Sequence, residues 1–190
     1  TPCEHSFPTR RSSDLITTSN FGMNNESLLE ENEREHIKYC PFCGVLAKYL
    51  KSEGEKYRVN AEELDDNTLL ILDHAMKLEI FNYEFYKAAV KIAHSDHVKE
   101  IFRALSNIER MHAIVHQNLG SFNELPKLVH IDYSKHKNDK SLMELAENRE
   151  IHAVEFYQKH LKEINNSIIK EVFVALSEVE RTHIQIAKNY

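Results

Sequence analysis

The chain has 190 residues, of which 42% are hydrophobic, and it carries a net charge of -6 with a pI of about 6.1. That length suits one domain with appendages, and the acidic balance excludes the basic surface typical of nucleic-acid-binding proteins. No apolar run approaches the ~18 residues of a membrane span, so we expect no membrane contact. Three cysteines are too few for a disulfide framework, which indicates a reducing, cytoplasmic setting.

The first 35 residues are predicted to lie outside the fold. Within residues 1–15, the stretch from His5 to Leu15 resembles the in-frame translation of a sequencing adapter. We interpret these fifteen residues as an artefact and exclude them, as a tag would be excluded. Residues 16–35 are polar and lack apolar periodicity, which predicts a disordered segment.

Residues 36–59 are predicted to form a cysteine knuckle and a short amphipathic connector. Cys40 and Cys43 enclose Pro41 and Phe42, and Gly44 follows directly. Two thiols at this spacing are typical of one half of a tetrahedral zinc or iron site. The knuckle is therefore a candidate metal site, provided that further ligands come from elsewhere.

Residues 60–190 are predicted to form four long helices. The first covers about residues 68–93, after a capping box at 60–63, and the second begins after its expected N-cap Ser95 and ends at Gly120. The third begins with a capping box at 141–144, and the fourth follows a short turn at 165–167. Because residues 121–140 form one long polar connection between two hairpins, the pattern predicts an all-α, ferritin-like four-helix bundle.

Two segments of these helices repeat each other at an offset of 71 residues. Glu109-x-x-His112 recurs as Glu180-x-x-His183, and Glu79, which lies 30 residues before Glu109, recurs as Glu150. One Glu-x-x-His is common in proteins. Two copies in register, each preceded by a matched glutamate, supply the ligand set of a dinuclear metal site in a four-helix bundle.

The repeated acids and histidines lie on the predicted apolar faces of their helices. Steps of three and four residues connect Glu79 with Leu72 and Met76, and Glu180 with Phe173 and Leu176. Buried carboxylates must be paired or bind metal, and no Lys or Arg is predicted on these faces. We therefore predict two iron ions, or manganese, bound by six residues: Glu79, Glu109, His112, Glu150, Glu180 and His183.

Three further residues on these faces are candidate catalytic groups. Tyr86 and Tyr157 lie two turns after the first glutamate of each half, where they either hydrogen-bond ligand carboxylates or serve packing alone. Glu147 breaks the repeat because its counterpart is Met76. It is either an additional metal ligand, three residues before Glu150, or a partly hydrated surface residue. His116, one turn after the first motif, is predicted to be a core histidine or an outer partner of the ligands.

The order of these ligands resembles that of rubrerythrins, a branch of the ferritin-like superfamily, over about residues 65–190. Rubrerythrins couple a di-iron site to peroxide reduction and can also oxidise ferrous iron. Their additional glutamate follows the ligand on the third helix by three residues, whereas the repeat makes Glu150 the ligand here and puts Glu147 before it. Either assignment of these two glutamates is therefore open.

The cysteine knuckle resembles half of a rubredoxin, a domain that rubrerythrins often carry and in which four thiolates bind one iron. The second knuckle is absent from this sequence. Three interpretations stay open: two chains each give Cys40 and Cys43 to a shared zinc or iron, His36 adds a third ligand, or the knuckle is a relic.

The resemblance implies a non-haem di-iron oxidoreductase that reduces hydrogen peroxide, with open metal positions for peroxide or dioxygen and electrons from an external donor. A homodimer is expected. Two alternatives use the same residues differently: a ferroxidase or iron-handling protein, and a non-catalytic module that senses metal or redox state.

Overall fold

The computed structural model describes residues 24–30, 32, 37–50, 59–129, 131–136 and 138–190. The predictions for residues 1–15, for most of 16–35, for His36 and for 51–58 concern residues outside these ranges. Within them the chain forms four long helices, which are α1 (Asp66–Ile92), α2 (Asp96–Leu119), α3 (Asp139–His160) and α4 (Ser167–Lys188). None of these helices is long and apolar enough to cross a membrane.

The helices pair as two hairpins, α1 with α2 and α3 with α4, and the hairpins meet through α1 against α3 and α2 against α4. The connection between them runs from Gly120 to Asn138. The only β-pairing within the described residues is an isolated antiparallel bridge between Tyr39 and Leu46. The predicted all-α, ferritin-like four-helix bundle with one long crossover is thus confirmed.

Side-chain caps explain where three of the four helices begin, and Asn166 caps α4 by accepting from the backbone amides of Ile168 and Ile169. The Asp65 carboxylate accepts a hydrogen bond from the Thr68 backbone amide at 2.7 Å and begins α1. Asn138 accepts one from the Ser141 amide at 2.8 Å and begins α3, so the predicted capping box at Ser141 was three residues late. The predicted box at 60–63 forms a separate 3₁₀ turn at Ala61–Glu63 before α1.

The turns next to α2 differ in detail from the prediction. Ser95 is the N-cap residue, but its side chain makes no capping bond; the Asp139 carboxylate accepts from the backbone amides of His94 and Ser95 instead. At the other end, Gly120 has φ -88°, and the left-handed residue is Ser121 with φ 52°. Gly120 is needed for space, because a Cβ there would lie 2.3 Å from the Phe122 ring.

Two apolar layers fill the bundle with a polar layer between them. One layer includes Leu72, Ile108 and Phe173, and the other includes Phe85 and Phe102. On each helix the layer changes near the repeated glutamates, so these acids lie at the middle of the bundle. The apolar layers separate the polar groups from bulk water on both sides.

The N-terminal segment packs on one side of the bundle. Residues 24–30 belong to the stretch predicted to be disordered, yet they contain a 3₁₀ turn at Asn25–Ser27. The backbone amide of Asn24 donates to the Pro41 carbonyl at 2.8 Å, and its side-chain amide donates to the Phe42 carbonyl at 2.9 Å. These bonds to the knuckle, which apolar periodicity cannot reveal, give the polar segment its structure.

Candidate metal centre

The six repeated acids and histidines come together from all four helices in the polar layer at the middle of the bundle. Glu79 of α1 and Glu150 of α3 each supply one carboxylate. The three-residue spacing puts a glutamate and a histidine on the inward face of both α2 and α4. All six side chains are at most 1% exposed, so the cluster lies in the interior of the chain.

The cluster divides into two overlapping groups of four. One group is Glu79, Glu109, His112 and Glu180; the other is Glu109, Glu150, Glu180 and His183. Within each group, one ligand atom per residue lies within 4.8 Å of the others. Glu109 and Glu180 belong to both groups. Two positions that share two carboxylates match the geometry of a dinuclear site with bridging glutamates.

The histidines face carboxylates of the cluster, and His183 faces carboxylates of both hairpins. His112 Nδ1 lies 3.1 Å from Glu180 Oε1. His183 Nδ1 lies 2.9 Å from Glu180 Oε2, 3.2 Å from Glu109 Oε1 and 3.7 Å from Glu150 Oε1. Each Nδ1 therefore points into the group to which its histidine belongs.

Many of these buried polar atoms have no hydrogen-bond partner within the described residues. They include both carboxylate oxygens of Glu109 and of Glu180, one oxygen of Glu79, and Nδ1 of His112 and of His183. Leaving so many buried donors and acceptors unpaired would cost several kcal/mol. A pair of metal ions would satisfy them together, and the oxygen and imidazole donors suit iron or manganese. The buried cluster thus fits a di-iron protein.

Electrostatics in the cluster favour cations as well. Burial, together with the charges of Glu180 and Glu150, raises the pKa of Glu109 to about 8, and burial raises the pKa of Glu150 to about 7. Burial also opposes ionisation of Glu180, but the charges of His183 and His112 outweigh it and lower its pKa to about 2. The metal-free cluster therefore holds protons that bound metal ions would replace.

The two predicted tyrosines connect the hairpins across the cluster. The Tyr86 hydroxyl donates a hydrogen bond to Glu150 Oε1, and the Tyr157 hydroxyl donates one to Glu79 Oε1. His116 Nε2 lies 2.7 Å from the Tyr157 hydroxyl. Each tyrosine thus orients the glutamate of the other half, and packing alone does not describe either of them.

The surroundings of Glu150 contain two residues that the sequence reasoning missed. The Asn82 side-chain amide lies 3.5 Å from Glu150 Oε2, and its oxygen lies 3.3 Å from an Arg149 guanidinium nitrogen. Arg149 is only 9% exposed and lies one position from the predicted face, so a buried cation lies close to the cluster although no Lys or Arg was predicted on the faces themselves. The signal was in the repeat, where both positions depart from their match 71 residues away. Asn82 corresponds to Ala153, and Arg149 corresponds to Leu78.

The structure places Glu147 outside both groups. Its side chain is 29% exposed, and its carboxylate lies 3.5 Å from Lys188 Nζ at the surface of the bundle. Of the two glutamates between which the sequence left the assignment open, Glu150 faces the cluster in this conformation.

The cysteine knuckle packs directly on the bundle beside the cluster. Cys40 has no exposed surface, Cys43 is 6% exposed, and neither is in a disulfide. The Cys43 carbonyl lies 3.0 Å from His112 Nε2. Because both side chains are covered within one chain, a metal shared between two chains at these sulfurs requires the covering residues to move. His36, considered above as a third ligand, lies outside the described residues.

Comparison with known proteins assigns the chain to a family. A family model described as Rubrerythrin matches residues 70–190, which is more than half of the chain and includes all six residues of the cluster. Comparison with curated proteins and with solved structures gave no significant match. The chain therefore belongs to the rubrerythrin family.

Proposed function

We propose that this chain is a di-iron peroxide reductase of the rubrerythrin type. The observation that carries the proposal is the pair of four-residue groups that share Glu109 and Glu180. Two iron ions held in these neighbouring groups would supply two electrons together, and the reduction of hydrogen peroxide to two waters consumes two electrons and two protons. The site and the reaction thus have the same electron count.

In this proposal six residues hold two iron ions: Glu79, Glu109, His112, Glu150, Glu180 and His183. The iron supplies the electron transfer when it is bound. Manganese suits the same oxygen and nitrogen donors. The protein contributes a dry site of fixed shape, since the six side chains are almost completely buried. A molecule as small as peroxide or dioxygen needs less opening of the bundle to reach such a site than a larger substrate would.

A chain of hydrogen bonds holds protons beside the cluster. The Tyr157 hydroxyl gives its only proton to Glu79, so the contact with His116 requires that His116 Nε2 carries a proton and donates it to the tyrosine oxygen. Burial lowers the pKa of His116 to about 3 and raises the pKa of Tyr157 well above its usual range. Both groups are therefore neutral near pH 7, and their hydrogen bonds hold the Glu79 carboxylate in a fixed orientation beside the cluster.

The remaining parts of the proposal concern partners. An external donor restores the reduced iron after each turnover, and we propose a cytoplasmic homodimer as the working form. Iron oxidation for storage or delivery would use the same six ligands, so the two functions differ in what is consumed.

Peroxide titration of the iron-loaded chain tests the proposal. Protein prepared without oxygen and loaded with Fe(II) should bind two iron ions, and peroxide should oxidise both at once while the iron stays bound. The control is Glu109→Ala, which removes a carboxylate from both groups. Full iron loading without oxidation by peroxide would contradict the proposal, and net deposition of ferric mineral during Fe(II) oxidation by dioxygen would favour iron handling.

A further inference from the structure

The cysteine knuckle contacts the metal centre through one specific hydrogen bond. His112 Nε2 lies 3.0 Å from the Cys43 carbonyl, and a carbonyl only accepts, so Nε2 carries the proton and Nδ1 is left to face the cluster. Nothing equivalent exists in the second half, because His183 Nε2 has no hydrogen-bond partner within the described part of the chain. The knuckle is thus joined to one of the two halves.

Several contacts fix the knuckle in this place. Gly44 has φ 75°, and a Cβ there would lie 3.1 Å from Val179 Cγ1 and 3.4 Å from Ile108 Cδ1. Glycine therefore permits both the turn and the close approach to α2 and α4. Asn24 adds a bridge, since it bonds the Phe42 carbonyl and accepts from the Asn107 side chain at 3.0 Å. These contacts hold the knuckle, and with it the Cys43 carbonyl, in a fixed position against α2 and α4.

The two thiols are arranged so that they can react with each other. Cys40 is hydrogen-bonded to the Cys43 side chain and to the backbone amides of Phe42 and Cys43. The turn that brings residues 40 and 43 together keeps their Cα atoms within ~7 Å, which is near the range that a disulfide spans. With two sulfurs instead of four, this knuckle lacks the ligands for a rubredoxin iron. It retains the two thiols that one disulfide needs.

We propose that Cys40 and Cys43 are a built-in two-electron donor to the metal centre. This inference rests on the proposed peroxide reduction. The two thiols release two protons and two electrons and form one S–S bond. The electrons reach the centre by way of Cys43 and His112, and one molecule of hydrogen peroxide accepts two electrons and two protons, its O–O bond breaks, and two waters form. The external donor then restores the dithiol with two electrons and two protons.

Dependence on bound metal distinguishes this route from direct oxidation of a thiol. Peroxide attacks a thiolate only where it can touch the sulfur. Cys40 has no exposed surface and Cys43 has 6%. The residues of the metal centre are as buried as the sulfurs, so bound metal and not burial separates the two routes. Oxidation through the centre should depend on bound metal, whereas direct oxidation of the thiols would proceed with or without it.

Electron counting provides the test. In a Cys3→Ser background, Cys40 and Cys43 are the only thiols. The reduced protein with two Fe(II) holds two electrons on iron and two on the dithiol, so it should consume two equivalents of peroxide per chain. Cys40→Ser and Cys43→Ser variants with the same iron content should consume one. After the titration the thiol count should fall from two to zero, and the tryptic peptide of residues 39–48 should lose two hydrogens.

The metal-free form of the same protein is the matched control, and its thiols should survive the same exposure to peroxide. The inference is overturned if the loaded protein consumes one equivalent and keeps both thiols, an outcome that leaves peroxide reduction intact. Equal oxidation of the thiols with and without metal would also overturn it. If reduced iron in every variant fails to consume peroxide and the thiols persist, the proposed function fails, and this inference fails with it.

Discussion

The two halves of the bundle share their inner residues and differ in what surrounds them. Each half contributes a glutamate, a Glu-x-x-His pair and a tyrosine that bonds the glutamate of the other half. Outside this set, the halves have different partners. His112 is bonded to the knuckle, whereas His183 Nε2 has no hydrogen-bond partner among the described residues.

The terminal glutamates show the same contrast. Glu79 accepts a hydrogen bond from Tyr157, which in turn contacts the neutral His116. Glu150 contacts the Asn82 side-chain amide, and the oxygen of that amide contacts the Arg149 guanidinium. The repeat thus specifies the candidate ligands, and departures from the repeat specify their electrostatic surroundings. We expect two metal positions of similar coordination but unequal affinity and potential, since outer partners tune bound metals.

Removal of a shared carboxylate should have the largest effect. Glu109→Ala or Glu180→Ala takes a ligand from both groups, so metal content should fall from two ions per chain to fewer than one. Glu79→Ala or Glu150→Ala takes a ligand from one group and should spare the other ion. Metal analysis at a fixed free Fe(II) concentration measures the difference.

The matched control for these variants is Glu155→Ala. Glu155 repeats Glu84 at the same offset of 71 residues but is exposed, so its removal should leave both ions bound. All variants should keep their helicity, because the loss of a carboxylate relieves repulsion in the metal-free core. A shared-carboxylate variant that is unfolded, while metal-free wild-type protein is folded, would contradict this account.

Metal removal should give the next largest effect, and it should depend on pH. The folded pKa values of Glu109 (about 8) and Glu150 (about 7) lie above the ~4.3 of an unfolded glutamate. The folded metal-free chain therefore binds more protons than the unfolded chain between about pH 4.3 and about pH 8, and its stability should fall as pH rises through this range, including the readily measured window from about 6.5 to about 8. The slope is at most about 1.4 kcal/mol per pH unit for each proton of difference. Glu180, with a folded pKa of about 2, titrates below this window.

Bound metal should remove this decline, because it replaces the protons. At a free metal concentration 100 times the dissociation constant, binding adds about 2.7 kcal/mol to the free energy of unfolding. Thermal melts with and without Fe(II) at both ends of the pH window measure the two effects. Equal midpoints with and without metal would show that these carboxylates are not ligands.

Replacing the outer partners of Glu150 by the residues of the other half should make the halves more alike. Two variants introduce the residue found at the matching position of the other half. Asn82→Ala introduces the residue type of Ala153, and Arg149→Leu introduces that of Leu78. Each variant should weaken the binding of one metal ion by about 10- to 100-fold and leave the binding of the other unchanged. Metal titrations that resolve the two binding steps measure this.

Arg149→Leu should in addition cost about 1–3 kcal/mol of stability, because it leaves the Tyr133 hydroxyl without the bond that it now accepts at 2.6 Å. Arg103→Leu on the exposed face of α2 is the control for removal of an arginine. If Asn82→Ala weakens the binding of both metal ions equally, Asn82 acts on the bundle as a whole and not on Glu150.

The sequence was sufficient to predict the four helices and the set of inward acids and histidines, because both follow from periodicity and from an internal repeat. It failed where a residue's environment depends on distant segments. Arg149 lies one position from the predicted face, and its burial depends on the rings of Phe81, Phe85 and Tyr133, which the crossover and α1 bring to it. The knuckle contacts His112 through a backbone carbonyl, and because every residue carries one, no residue type in the sequence signals this contact.

Glu147 should give the smallest effect of these substitutions. Neither group of four includes it, and its carboxylate faces Lys188 at 3.5 Å in a partly exposed position. Exposed ion pairs of this kind contribute about 0–1 kcal/mol. We therefore expect Glu147→Gln to keep two ions per chain, to change stability by less than about 1 kcal/mol, and to leave peroxide turnover unchanged.

Lys188→Gln is the matched variant for this prediction, because it removes the other partner of the same ion pair. If Glu147 is a surface residue, the two variants should match in metal content, stability and turnover. If the carboxylate instead leaves Lys188 and serves the metals as an acid or base, Glu147→Gln alone should lower turnover by roughly 10²–10⁴. Lys188→Gln would then free the carboxylate and keep or raise the activity. Loss of iron in Glu147→Gln alone would make Glu147 a metal ligand, and the asymmetry between the halves would then extend to the ligands themselves.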